Sequence, residues 1–132
     1  MAVGQILADN GKKIMLDRIF NSSPTRSVPS QIKVGTGTDT PVVSDTDLQT
    51  PVDIDGDDFK GFVNGYPSLD FTALSSEIRA ILLTTDANGN SLTEFGIVNG
   101  DGTPLLFMRA VFTAFTKNIN TQVTFIQKMR FS

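Results

Sequence analysis

Residues 92–116 read LTEFGIVNGDGTPLLFMRAVFTAFT, and this stretch decides the fold class. Leu92 to Val98 reads as one strand, and Leu105 to Thr116 is a second, longer and more apolar run. Between them lies Asn99-Gly100-Asp101-Gly102, where the Asn-Gly pair tolerates the positive φ of a tight hairpin loop. The second run is apolar at consecutive positions, Leu105, Leu106, Phe107, Met108, Ala110, Val111 and Phe112, so both of its faces need covering. It is predicted to be a central strand, buried by a second sheet, by a helix or by another subunit.

The same pattern extends outward. Upstream, Glu77 to Thr85 contains Ile78, Ile81, Leu82, Leu83 and two threonines, and ends at the turn-forming Asp86-Ala87-Asn88-Gly89-Asn90. Downstream, Lys117-Asn118-Ile119-Asn120 turns the chain into a segment of near-strict alternation. Thr121, Val123, Phe125, Gln127, Met129 and Phe131 fall on one face and Gln122, Thr124, Ile126, Lys128, Arg130 and Ser132 on the other. Period-2 alternation belongs to a strand with one buried and one wet face. Residues 76–132 are therefore expected to form a four-strand antiparallel meander, since consecutive strands usually pair.

Nearer the amino terminus, Asp9 to Phe20 is predicted to be a helix, with Ile14, Met15, Ile19 and Phe20 on its apolar side and Asp9 or Asn10 capping the first turn. Pro24 ends it. The helix is expected to cover a sheet, the alternative being an exposed docking helix. Gln31 to Val34 reads as a short strand. The whole is expected to be one domain over residues 1–132: helix 9–20, an acidic and aromatic loop region 35–75, and the meander 76–132. The fold class is mainly β, an antiparallel β-sandwich-like domain with one N-terminal helix.

Composition narrows the chemistry. The 132 residues include no His, no Cys and no Trp, and the formal net charge is −3. Ser-His-Asp and Cys-His relays, thiolate or imidazole zinc sites and disulfides are thereby excluded. A net negative chain lacking dense Lys and Arg is not expected to bind nucleic acid. The start Met1-Ala2-Val3-Gly4 shows no secretory signal pattern, and no apolar run approaches a membrane span, so synthesis in the cytoplasm without membrane insertion is expected.

Three segments invite a functional reading. Gly35-Thr36-Gly37-Thr38 resembles a phosphate-cradling loop only superficially, because Asp39 and Pro41 stand where a P-loop needs Lys-Ser/Thr opening a helix. Residues 39–58 carry seven aspartates and no Lys or Arg. Within them Asp53, Asp55 and Asp57 match the first three acidic positions of a calcium loop, but Asp58 replaces its Gly and Asn64 its bidentate Glu. A solvated acidic loop is expected, with no metal or other cofactor; Ca2+ at those three aspartates is the alternative. Phe59 to Phe71 mixes aromatics with Gly and Pro at no regular period, as a loop that folds onto the core or meets a partner.

Glu94 is one of only two glutamates and sits among apolar neighbours, where burial can raise a carboxyl pKa. Its catalytic reading is weighed against an ion pair with Arg109 across the adjacent strand, and the pair is the expected role. From Phe107 to Ser132 the only charges are Arg109, Lys117, Lys128 and Arg130, a basic complement to the acidic middle segment. Complementary patches suit pairing within the chain or head-to-tail contact between copies. Phe59, Phe62, Tyr66, Phe107, Phe112 and Phe115 are the candidate interface residues.

Val34-Gly35-Thr36-Gly37-Thr38-Asp39-Thr40-Pro41, followed by Ser44-Asp45-Thr46-Asp47-Leu48, is similar to the "lGtGttaPsasDtaL" segment of small bacteriophage virion proteins of the tail, baseplate or tail-fibre region. Leu92-Thr93-Glu94-Phe95-Gly96-Ile97-Val98-Asn99, then Leu105 to Phe112 and Lys117, resembles their "ltEiGlfn…g.lLaRatf…K" block, and the opening Leu7-Ala8-Asp9-Asn10-Gly11-Lys12 fits as well. The blocks occur in the right order over most of the chain; Val52 to Asp70 is longer and more aromatic than the pattern. The resemblance implies a non-enzymatic virion building block that repeats around a symmetry axis, located in the virion, with copies of itself and other virion proteins as partners and possible host-surface contact. A head decoration or neck protein, and a stand-alone receptor- or sugar-binding β-module, are the alternatives.

Overall fold

The computed structural model describes residues 4–131. Its elements are β1 (Gly4–Leu7), α1 (Asp9–Phe20), β2 (Pro29–Gly35), β3 (Lys60–Gly61), β4 (Ser68–Asp70), β5 (Ser75–Leu82), β6 (Asn90–Asn99), β7 (Leu106–Lys117) and β8 (Val123–Arg130). The strands form two sheets, one of five strands in the order β1-β7-β6-β2-β3 and one of three in the order β4-β5-β8, with every pairing antiparallel. The mainly β, sandwich-like class read from the sequence is thus the observed one, and β7 is central as expected, between β1 and β6.

The pairing of the last four strands differs from the expected meander. Only β6 and β7 form the hairpin, while β5 pairs along its length with β8, from Ser75↔Arg130 to Leu82↔Val123. The chain therefore steps from the small sheet to the large one after β5 and back again after β7. The physical reason lies in the side chains. In β5 and β8 one face is apolar, Ile78, Ala80 and Leu82 sharing it with Val123, Phe125 and Met129, and strands with one apolar face cover the large sheet as a lid. In β6 every residue from Leu92 to Asn99 is buried, and in β7 every residue from Leu106 to Val111, as strands covered on both faces must be.

The inner faces of the two sheets meet around Ile32, Val34, Leu92, Phe95, Ile97 and Met108. Phe95 stacks on Phe125 of the opposite sheet with ring centroids 5.0 Å apart, a contact worth about 0.5–1.5 kcal/mol beyond area burial.

The helix occupies its expected range but presents a different face. Gly11, Ile14 and Asp17 are its buried residues, whereas Leu16, Ile19 and Phe20 are exposed, Phe20 by 79%. The cause is close approach at the first turn. A Cβ at position 11 would collide with the Phe107 carbonyl oxygen, and the Ala8 N–H donates to that same oxygen at 3.0 Å. Ala8, not Asp9 or Asn10, holds the N-cap position, and its side chain caps nothing. Asp17 is buried because its carboxylate organises the following loop, accepting the Thr25 and Arg26 amides at 3.0 and 2.8 Å and the Asn21 side chain at 2.7 Å.

Candidate functional site

The first candidate is the carboxylate of Glu94, which is fully buried on the outer face of the large sheet. A register shift in β6 and β7 sets Glu94 opposite Val111 and Arg109 opposite Gly96, so the two side chains meet diagonally and not directly across the ladder. Arg109 Nε donates to Glu94 Oε1 at 2.9 Å, Nη1 to Asp45 Oδ2 at 3.1 Å and Nη2 to the Asp39 carbonyl at 3.1 Å. Glu94 also accepts the backbone amides of Gly37 and Thr50 on Oε2, each at 2.8 Å, and that of Gln49 on Oε1 at 2.9 Å. Gly37 is required there: a Cβ would lie 2.5 Å from Glu94 Oε2.

The segment 36–50 is thereby held against the sheet by one buried ion pair. Lys33 adds a second clamp, reaching Asp47 at 2.8 Å and Asp58 at 3.2 Å. Burial pushes the Glu94 pKa up, but the Thr50 and Gln49 amides, Arg109 and the Gly37 amide outweigh it and hold the carboxyl below the usual range. The rise that burial alone suggests is therefore reversed. An ionised carboxylate with four donors already on it is an organiser of chain and not a general acid.

The amides of the Gly-Thr loop are likewise committed, Gly37 to Glu94 and Thr38 and Asp39 to Gln49 Oε1 at 2.8 and 2.9 Å, which leaves no cradle for phosphate. Asp53, Asp55 and Asp57 do not converge. Ile54 turns into the core between them, Asp53 accepts the Gly56 amide at 3.1 Å, and among the described residues no three acidic side chains are grouped to hold a metal ion.

The second candidate is an apolar cleft of about 560 Å3 at the helix end of the sandwich, between the two sheets. Ile14, Met15 and Ile19 of α1 line it together with Ile97, Leu69 and Met129, and Arg18 and Lys128 stand among the lining residues. Its volume and composition suit an apolar side chain or short segment. The opposite end of the sandwich is closed. There the Ala87 amide donates to the Ile54 carbonyl at 2.8 Å, Lys60 pairs with the buried Asp86, and Lys117 Nζ reaches Asn88 Oδ1 at 2.9 Å.

The six aromatic residues singled out in the sequence do not form one surface. Phe107 is buried beside α1, at the irregular step where β6 residues Ile97 and Val98 face Met108 and Leu106. Phe112 and Phe115 are half-buried and stack on each other at 5.6 Å, Phe112 also touching Phe95 and Phe125. Phe62 packs against the core, Phe59 is half-buried, and the Tyr66 ring lies 5.2 Å from the Arg79 guanidinium. The strip from Phe62 to Tyr66 closes the side of the sandwich, its Phe62 amide bonded to Ser30 of β2 and its Val63 amide to Arg79 of β5.

Sequence reasoning passed over Asp86 and Asn99, which it took for ordinary turn residues. Asp86 is fully buried, holding Lys60 and the Leu83 amide. Asn99 is also fully buried and ties three segments, accepting the Leu105 amide at 2.8 Å and donating to the Ser27 carbonyl and to Asp101. Comparison with known proteins finds no match, either to a family model, to a curated protein or to a solved structure.

Proposed function

We propose that this chain is a non-enzymatic structural module of a bacteriophage virion, of the tail, baseplate or tail-fibre region, acting by self-association and by docking to other virion proteins. The observation that carries the reading is the convergence of two sequence blocks. Gly37 and Asp45 belong to the first block similar to virion proteins, Glu94 and Arg109 to the second, and all four meet in one hydrogen-bonded hub. Leu48 of the first block packs where a Cβ on Gly96 of the second would collide. Blocks that lie far apart in the sequence thus meet in one three-dimensional unit whose work is architectural. The open apolar cleft and the exposed Leu16, Ile19 and Phe20 of the helix supply surface for docking.

The test is immunogold labelling and peptide mass spectrometry of particles purified from the producing host. The chain is expected as a repeated component at the tail or its baseplate. Particles without it, with the chain entirely in the soluble fraction, would overturn the assignment.

A further inference from the structure

The small sheet ends at β8, which pairs with β5 and has no neighbour on its other side among the described residues. The direction of its peptide groups follows from one bond. The Phe131 amide donates to the Leu74 carbonyl at 2.9 Å, one step beyond the Ser75↔Arg130 pair, and the β5–β8 register runs unbroken from there to Leu82↔Val123. Opposed pairs of an antiparallel ladder alternate between hydrogen-bonded and not, so Phe125, Gln127 and Met129 bond to β5 while Thr124, Ile126, Lys128 and Arg130 turn their N–H and C=O groups outward. Arg79, opposite Ile126, fixes the same phase, because its carbonyl accepts the Val63 amide at 2.8 Å on the side away from β8. None of the four outward amides donates to a loop or a side chain among the described residues, and the Lys128 carbonyl takes the Gln127 side-chain amide at 3.1 Å.

The two faces of this edge differ. On the inner face Val123, Phe125 and Gln127 are half-buried, whereas Leu82, Ala80 and Ile78 opposite them in β5 are buried, so the cover given by the small sheet runs out at β8. The cleft begins there. Gln127, Met129 and Phe131 line it on the side of β8, and Gln5, Ile6 and Leu7 line it on the side of β1, the edge strand of the large sheet. On the outer face Lys128 and Arg130 are exposed. Lys128 lies 3.5 Å from Glu77, Arg130 makes no ion pair among the described residues, and no Asp or Glu occurs from Phe107 to Ser132.

From this we infer that the free edge of β8, with the cleft beside it, accepts an extended segment of another polypeptide in which apolar and acidic residues alternate. An open row of N–H and C=O groups is a template for one more strand, and the outward groups of Thr124, Ile126, Lys128 and Arg130 supply it. Side chains of an added strand point alternately to the two faces. Those on the inner face lie beside Gln127 and Met129 and enter the apolar cleft, and those on the outer face stand with Lys128 and Arg130, where acids complement the charge. A second copy does not bring this pattern. Another β8 carries the same two cations to the same face, and the chain's one four-residue apolar–acidic alternation, Val52-Asp53-Ile54-Asp55, has Ile54 buried in its own core. The inference rests on the docking to other proteins named above and gives it a surface and a partner pattern.

The experiment uses the full chain and a short capped peptide alternating valine and glutamate, followed by fluorescence anisotropy, with the valine–lysine peptide as control. The acidic peptide is expected to bind and the basic one to bind at least roughly tenfold more weakly, because like charges then share the outer face. Lys128→Glu with Arg130→Glu is expected to reverse that preference. Ile126→Pro removes an outward N–H that β5 does not use, so the variant is expected to fold, as far-UV circular dichroism checks, and to lose the peptide. Ile19→Asp places a charge in the cleft lining at an exposed position and is expected to weaken binding at least roughly tenfold. In the wild-type chain, hydrogen exchange read by NMR is expected to find the amides of Thr124, Ile126, Lys128 and Arg130 fast and those of Phe125, Gln127 and Met129 slow, and saturating peptide to slow the first four.

No binding, equal binding of the two peptides, a preference that the reversed variant keeps, a folded Ile126→Pro that still binds, an unaffected Ile19→Asp, or outward amides that stay fast in the saturated chain each overturns the inference. So does protection of those amides that rises with protein concentration in the absence of peptide, which marks a second copy as the occupant. If Ile126→Pro does not fold, the exchange measurement on the wild-type chain decides. These failures are separable from failure of the functional reading. A chain absent from particles that still binds the peptide loses the virion role and keeps the acceptor edge, and a particle component that ignores the peptide does the reverse.

Discussion

Truncating Glu94 to alanine removes the acceptor on which three loop amides and one guanidinium converge. The amides of Gly37, Gln49 and Thr50 lose their partner, and Arg109, 2% exposed, keeps only Asp45 and a carbonyl. An unsatisfied buried amide costs about 1–2 kcal/mol and breaking a buried pair about 3–5, so a loss of roughly 4–6 kcal/mol follows once water entering the space is allowed for. A domain of this size is stable by on the order of 10 kcal/mol, so the variant still folds at 25 °C but with its midpoint far lower. Glu94→Gln preserves shape and one acceptor oxygen while turning an amide group toward donors, and is expected to cost about half as much. The assay is urea unfolding followed by far-UV circular dichroism. In the double variant with Arg109→Met the coupling is expected to exceed about 2 kcal/mol, because the second removal takes away the charge that the first left stranded. Additive effects below about 1 kcal/mol each would refute the view that this hub holds segment 36–50 on the sheet.

Three further outcomes follow from the same structure. The carboxyls of Asp17, Glu77, Glu94 and Asp101 are all held below their usual range; a depressed folded pKa confers stability above the unfolded value and loses it as pH falls. Thermal midpoints should therefore be flat from neutral pH to about pH 5 and drop steeply below about pH 4, whereas a midpoint unchanged at pH 3 would contradict the depressed values. Gly11→Ala, which raises intrinsic helix propensity, should instead destabilise by about 1–3 kcal/mol because its methyl meets the Phe107 carbonyl; a stabilised variant in chemical denaturation would show that the helix can move away. Lys60→Met should destabilise more than the double variant Lys60→Met with Asp86→Leu, since the single change leaves the Asp86 carboxylate buried without its cation, and the reverse order in urea titrations would remove the claim.

The strand positions and the Glu94–Arg109 pair were legible because each is written locally. Alternation at residues 121–131 marks a half-buried strand, and a lone Glu in one arm of a hairpin with a lone Arg in the other has few partners available. The sheet to which each strand belongs was not legible. Asp86-Ala87-Asn88-Gly89-Asn90 has the chemistry of a hairpin turn, yet here it carries the chain from one layer to the other, a step of about 10 Å. Turn residues report where a strand stops and are silent on where the next one goes. The usable signal was the contrast between β5 and β8, apolar on one face, and β6 and β7, apolar on both.

The same contrast explains why the expected interface residues and the exposed apolar surface parted company. Apolarity on both faces of β7 predicts cover by a second sheet, a helix or another subunit, and the outer face is covered from within the chain by segment 36–50, drawn onto the sheet by Glu94 and Arg109. Phe107 is buried, and Phe112 and Phe115 pack half-buried against the core, Phe112 touching Phe95 and Phe125. With both sides of the large sheet covered, the apolar surface that stays open lies elsewhere: in the cleft beside α1, at Phe20 of the helix, at Phe71 and Leu74 after β4, at Ile126 on β8 and at Ile119 in the β7–β8 turn. That remaining surface has no cover among the described residues, so burying it takes contact with another molecule.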